Sequence, residues 1–134
     1  MNYAEVFSKL TYELAIITFL KKDGEVRVML GTRNLNTISL VHGFMGPVLD
    51  SRDKRCNIHN GNMAVIDMTI REPRQFSIDR LVNIMYLGEI NTIDEYNNAL
   101  KHYEYYKAEY DKTLPEEGGA EWLKYTKVKY LSKN

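Results

Sequence analysis

The chain has 134 residues, 44% of them hydrophobic and 27% charged, with 18 basic and 18 acidic side chains. That length buries one core but not two, and the apolar content excludes a disordered chain. A net charge of zero excludes both a histone-like coat for nucleic acid and a wholesale mimic of DNA.

In chain order, YAEVFSKLTY at residues 3–12 sets Tyr3, Val6, Phe7 and Leu10 at helical spacing and predicts a short amphipathic helix. The period then changes to two. AIITFLKKDGEVRVMLGT reads as a strand, an Asp-Gly turn and a second strand, with Val26, Val28 and Leu30 on one face and Arg27 and Met29 on the other. From residue 32 to 62 periodicity fails and turn formers gather at Gly43, Gly46-Pro47, Asp50-Ser51 and Asn60-Gly61. A long loop is expected there, with at most one short strand, and loops of this length usually carry function or motion. MAVIDMTI, from Met63 to Ile70, alternates as a strand that Pro73 is expected to stop. FSI and LVNIMYL follow as two more short apolar runs, with Asp79-Arg80 as the turn between them and Gly88 as the end of the β portion.

Helical spacing returns after Asn91. Thr92 and Glu95 form a capping box, and Ile93, Tyr96, Leu100, Tyr103 and Tyr110 make a seam broken by Lys107. LPEEGG at residues 114–119 interrupts that helix, and AEWLKYTKVKYL, which holds Trp122, ends the chain as a basic aromatic tail compatible with helix or strand. The zero net charge hides a gradient: residues 1–88 hold 11 basic and 9 acidic side chains, 89–121 hold 3 and 9, and 122–134 hold 4 and none. All seven arginines lie between Arg27 and Arg80. The longest apolar run, LAIITFL, is about a third of the roughly 20 residues a membrane span needs, so no membrane association is expected. One cysteine, Cys56, makes no internal disulfide, in keeping with a reducing cytoplasm.

The run from Ile66 to Ile84, IDMTIREPRQFSIDRLVNI, resembles the end of the WYL domain, with Arg74, Phe76, Asp79, Arg80 and Leu81 in register. The hairpin FLKKDGEVRVMLGTRNL, Phe19 to Leu35, is similar to the opening of compact relatives of that domain, the WYL-like Sm/SH3-like barrel proteins encoded by large tailed phages. The likeness spans Ala15 to Leu87. It departs at the naming Trp-Tyr-Leu triplet, replaced here by Ala64-Val65-Ile66, and at Ser77, which stands where a second arginine follows the phenylalanine. Five short strands with tight turns suit a small barrel on their own account, since closure removes exposed edges. The expected fold is therefore α+β: a small, mostly antiparallel Sm/SH3-like β-barrel over residues 14–88, a capping helix within 1–13, and a tyrosine-rich helical extension over 89–134.

The resemblance implies a phosphate- or nucleic-acid-type ligand at the barrel rim and a non-enzymatic, host-modulating role for a phage-type accessory protein. Arg74 and Arg80 are the first candidates, because a planar guanidinium binds two oxygens at once. The competing reading of Arg80 is a turn-fixing pair with Asp67 or Asp79. Arg33 and Asn34 match the start of the long loop in the phage relatives and are expected on the same rim, although asparagine there is more often a turn residue. Tyr96, Tyr103, Tyr110 and Trp122 are candidates for binding a host protein or for homodimerisation through the helix, set against the commoner role of docking that helix on its own sheet. Arg52, Lys54 and Arg55 form a loop patch diluted by Asp50 and Asp53. Cys56 and His59 have the spacing of half a zinc site with no second half, so neither a metal nor any other cofactor is expected, and nothing in the sequence points to catalysis. The partners expected are a host protein or single-stranded nucleic acid, and the alternative function is a WYL-like ligand-sensing or single-strand-binding regulatory domain.

Overall fold

The computed structural model describes residues 2–42 and 60–113, with backbone alone for the last residues of the second and third helices, 41–42 and 110–113. Helix α1 (Tyr3–Tyr12) opens the chain, its first turn capped by Asn2, whose side-chain oxygen accepts from the Glu5 amide at 2.9 Å. Strands β1 (Leu14–Leu20) and β2 (Val26–Thr32) form the expected hairpin. Helix α2 (Leu35–His42) follows, then β3 (Asn62–Asp67), β4 (Glu72–Ser77), a single 3-10 turn (Ile78–Arg80), β5 (Leu81–Gly88) and the long helix α3 (Ile93–Thr113).

The five strands make one antiparallel sheet in the order β4-β3-β2-β1-β5. Both faces are covered, which is why β1 reads LAIITFL with six successive buried residues and no polar alternation. On the first face Ala15, Ile17, Phe19, Met29, Met63, Val65, Phe76 and Ile84 pack against Val6 and Leu10 of α1. On the second, Leu14, Ile16, Leu30, Ile66 and Met68 pack against Ile38 of α2 and Tyr96, Ala99 and Tyr103 of α3. Thr92 caps α3 as its spacing implies: its hydroxyl accepts from the Glu95 amide and donates to the Glu95 carboxylate, both at 3.1 Å.

Three expectations are corrected. First, the sheet is not closed into a barrel. It rolls far enough to bring the Phe19 ring of β1 within 5.8 Å of the Phe76 ring of β4 across the core, yet no ladder joins β4 to β5. The β2–β3 ladder holds only Gly31↔Asp67 and Thr32↔Ile66, so the two strands diverge toward the start of β2 and the sheet opens instead of sealing. Second, Pro73 does not stop a strand but lies inside β4, opposite Ile66. β4 is an edge strand, where a residue without an amide hydrogen is tolerated. The preceding strand ends earlier, at Asp67, in a turn where the Asp67 carboxylate accepts from the Thr69 amide and hydroxyl and Arg71 takes a φ of 61°. Third, the long loop begins with α2. LNTISLVH carries no run of strong helix formers, and it is the burial of Thr37 and Ile38 against the sheet that holds it.

Candidate anion-binding cleft

The cleft is built from two pieces of chain 50 residues apart in sequence. The tip of the β1–β2 hairpin is fixed by Gly24, at φ 88°, and by hydrogen bonds from the Glu25 amide to the Asp23 carboxylate (2.9 Å) and from the Lys21 amide to the Glu25 carbonyl (2.8 Å). The Glu25 amide is the main reason the Asp23 carboxyl is held below the usual range, with nearby Lys21 adding to it. The second piece is β4 with its corner. Phe76 enters the first core, and Arg74, two residues earlier, lies on the same face of the strand. Ser77 caps the 3-10 turn through its hydroxyl, which accepts from the Asp79 amide, and the Ile78 amide donates to the Gly61 carbonyl at 2.9 Å.

Arg80 joins the two pieces. Its Nη1 donates to the Lys21 carbonyl at 2.9 Å, so the guanidinium clasps the corner to the hairpin tip and does not make the expected pair with Asp67 or Asp79. Between them opens a cleft of about 810 Å³ whose charged lining is Lys21, Lys22, Arg27, Arg74 and Arg80 against the single carboxylate of Asp23. Lys21 is engaged by Asp23 at 3.4 Å and Glu25 at 3.3 Å. The side chains of Lys22, Arg27 and Arg74 make no ion pair or hydrogen bond among the described residues, and Arg74 Nε is buried without an acceptor.

Of the residues singled out from sequence, Arg74 and Arg80 share this cleft, whereas Arg33 and Asn34 do not. Those two line a separate depression between α1 and the start of α2. Arg33 is 7% exposed: its Nη1 donates to the Ala64 carbonyl, its guanidinium lies 4.5 Å from the centre of the Phe7 ring, and its amide donates to the Leu10 carbonyl. Asn34 starts α2, accepting from the Asn36 amide at 3.0 Å and donating to the Tyr12 carbonyl at 2.9 Å. The pair ties α1, β2, β3 and α2 together and is not part of the rim expected from sequence.

Tyr96 and Tyr103, candidates for an external partner, are each 8% exposed and are docked on the chain's own sheet, with hydroxyls donating to the carbonyls of Met68 (3.1 Å) and Val28 (3.3 Å). The Tyr110 side chain, Trp122, the loop cations Arg52, Lys54 and Arg55, and Cys56 and His59 lie outside the described residues. Arg27, Lys21 and Lys22 were missed as site residues. The signal for Arg27 was present in EVRVML, where alternation sets a cation on the same face as the core residue Met29.

No family model, curated protein or solved structure matches the chain significantly. Among the described residues no helix is long and apolar enough to cross a membrane.

Proposed function

We propose that this chain is a non-enzymatic, phage-type accessory protein that binds single-stranded nucleic acid in the cleft between the β1–β2 hairpin and the Arg74–Arg80 corner, acting in the host cytoplasm. The observation that carries the reading is the charge of that cleft: with Lys21 paired to Asp23 and Glu25, four further cations, Lys22, Arg27, Arg74 and Arg80, line it with no carboxylate beyond Asp23 in the lining, in a protein whose total charge is zero. Such a concentration of one sign in a concave site attracts a polyanion far more than the sum over the molecule suggests. The two segments that build it are the two that carry the resemblance to WYL-like phage proteins, and we read the rolled, open sheet as an Sm/SH3-like barrel left unsealed at its β4–β5 seam. The competing mode, capture of a host protein by the tyrosine seam of α3, is weakened because Tyr96 and Tyr103 are buried against the sheet.

The test is titration of a labelled oligonucleotide into the full chain at two salt concentrations. If about three phosphates are neutralised, affinity falls roughly 20-fold between about 50 and 200 mM salt. Arg80→Ala, which removes both a cleft cation and the clasp to Lys21, weakens binding at either salt. Absence of binding at both salts ends the proposal.

A further inference from the structure

We infer that Arg27 and Arg74 form one clamp for a single phosphate group, and that the cleft grips the phosphodiester chain of its ligand and leaves the bases unread. This rests on the reading of the cleft as a nucleic-acid site. Arg27 and Arg74 come from β2 and β4, strands separated in the sheet by β3. The β2–β3 ladder ends at Gly31↔Asp67, with the Met68 amide donating to the Leu30 carbonyl just beyond, so the start of β2 stands clear of β3 and leaves a gap. Both arginines belong to the sheet face that carries Met29 and Phe76, and both line the cleft as well as the neighbouring depression toward Tyr103 and Lys107, which unlike the cleft also carries the carboxylates of Glu25, Asp67 and Glu104. They flank the saddle between the two.

Neither side chain has an ion pair or hydrogen bond among the described residues, and the Arg74 Nε is removed from solvent with no acceptor. Two like charges beside one gap repel, and a buried donor without a partner is costly. An anion between them relieves both. A phosphate suits the position better than a carboxylate because its oxygens point in more than two directions and so can meet two guanidinium forks together.

Among the described residues the cleft offers the bases no exposed ring to stack on. Phe19 and Phe76, the two aromatic residues of the lining, are 4% and 3% exposed and turned into the core, whereas the exposed tyrosines, Tyr12 and Tyr105, lie outside the lining. Single-strand binders that hold bases use exposed rings. The contacts that the described lining offers are to phosphate.

The experiment measures fluorescence anisotropy of a labelled oligothymidylate and of an abasic phosphodiester of the same length, with the full chain and with Arg27→Lys, Arg74→Lys and the double substitution, each checked for folding by circular dichroism. The inference expects the abasic chain to bind within about threefold of oligothymidylate, since recognition through phosphates is independent of the base. Each lysine variant binds about tenfold more weakly with an unchanged salt slope, because lysine keeps the charge and loses the fork. The double variant loses less than the product of the two single losses, since both arginines hold one group. Binding of oligothymidylate tenfold or more tighter than the abasic chain overturns the inference on the unmodified protein alone, whatever the variants do. Lysine variants that bind like the parent, or losses that multiply in full, overturn the clamp while leaving the nucleic-acid reading standing. Failure of the parent to bind either oligomer removes that reading, and the clamp with it.

Discussion

Arg33 and Arg80 look alike in the sequence, as arginines that each follow a strand or turn, and the structure gives them opposite surroundings, one buried and one exposed. Arg33→Ala leaves the Ala64 carbonyl without its guanidinium donor, in a place where Arg33 is 7% exposed, and removes the cation stacked 4.5 Å from Phe7. A hydrogen bond to a charged group contributes about 1.5–3 kcal/mol, and a desolvated cation–π contact about 1–2. The two share one side chain and do not simply add, so a loss of about 3 kcal/mol is expected. With a urea slope of about 1.5 kcal/mol/M, the unfolding midpoint falls by about 2 M. Arg80 is exposed, and among the described residues its side chain makes one hydrogen bond, to a backbone carbonyl. Arg80→Ala should leave the midpoint where it is and weaken oligonucleotide binding. Urea unfolding followed by circular dichroism, paired with oligonucleotide titration of each folded variant, tests the contrast. An Arg33→Ala protein with an unchanged midpoint and weakened binding would refute the assignment, because Arg33 would then be serving a ligand and not the junction of α1, β2 and β3.

Three further outcomes are expected. Gly31→Ala places a Cβ 3.0 Å from Ile17 Cδ1 and 3.2 Å from Val65 Cγ2; overpacking of about 1–3 kcal/mol, offset by about 0.4–1 from the stiffer unfolded chain, leaves a net cost of about 1.3 kcal/mol at mid-range, which lowers the thermal midpoint by about 5 °C. An unaltered midpoint in calorimetry would show that the sheet yields there without strain. Thr92→Ala removes the cap of α3 and costs about 1 kcal/mol, whereas Thr92→Ser retains the acceptor and should restore stability in the same melt. Burial, with the Glu13 and Glu5 carboxylates adding to it, pushes the Tyr86 hydroxyl up to about 12. A raised phenol value means that the unfolded chain loses its proton first, near pH 10, so this contribution to stability is complete below pH 10 and is lost as pH rises toward 12. Tyrosinate absorbance should show a late ionisation that Tyr86→Phe reduces by one tyrosine, the remainder including Tyr96, which burial also raises. A native spectrum with all tyrosines ionised near pH 10 would contradict it.

The elements that local physics specifies were readable from sequence. The α1 seam of Val6 and Leu10, the Asp-Gly hairpin between β1 and β2, and the Thr92–Glu95 capping box each depend on residues within one or two turns of one another, so the pattern that forms them is continuous in the chain. The same applies to the placement of Arg74 two positions before a core phenylalanine, which alternation alone requires.

What the tertiary structure decided lies between segments far apart in sequence. Helix α2 exists because Ile38 finds a buried place on the second face of the sheet, a gain that its own weak helix formers do not announce. Pro73 is accepted in a strand because β4 happens to lie at an edge, and edge or centre is a property of the whole sheet order. Arg33 and Arg74 carry the same guanidinium. One meets the Ala64 carbonyl and the Phe7 ring, and the other reaches an open gap with Arg27, because β2 and β3 part after two residue pairs. Charge and periodicity thus determined which residues were able to serve a ligand. The divergence of two strands, a balance of non-local packing that no short window of sequence contains, decided which of them stand open in a cleft and which are bonded within the fold.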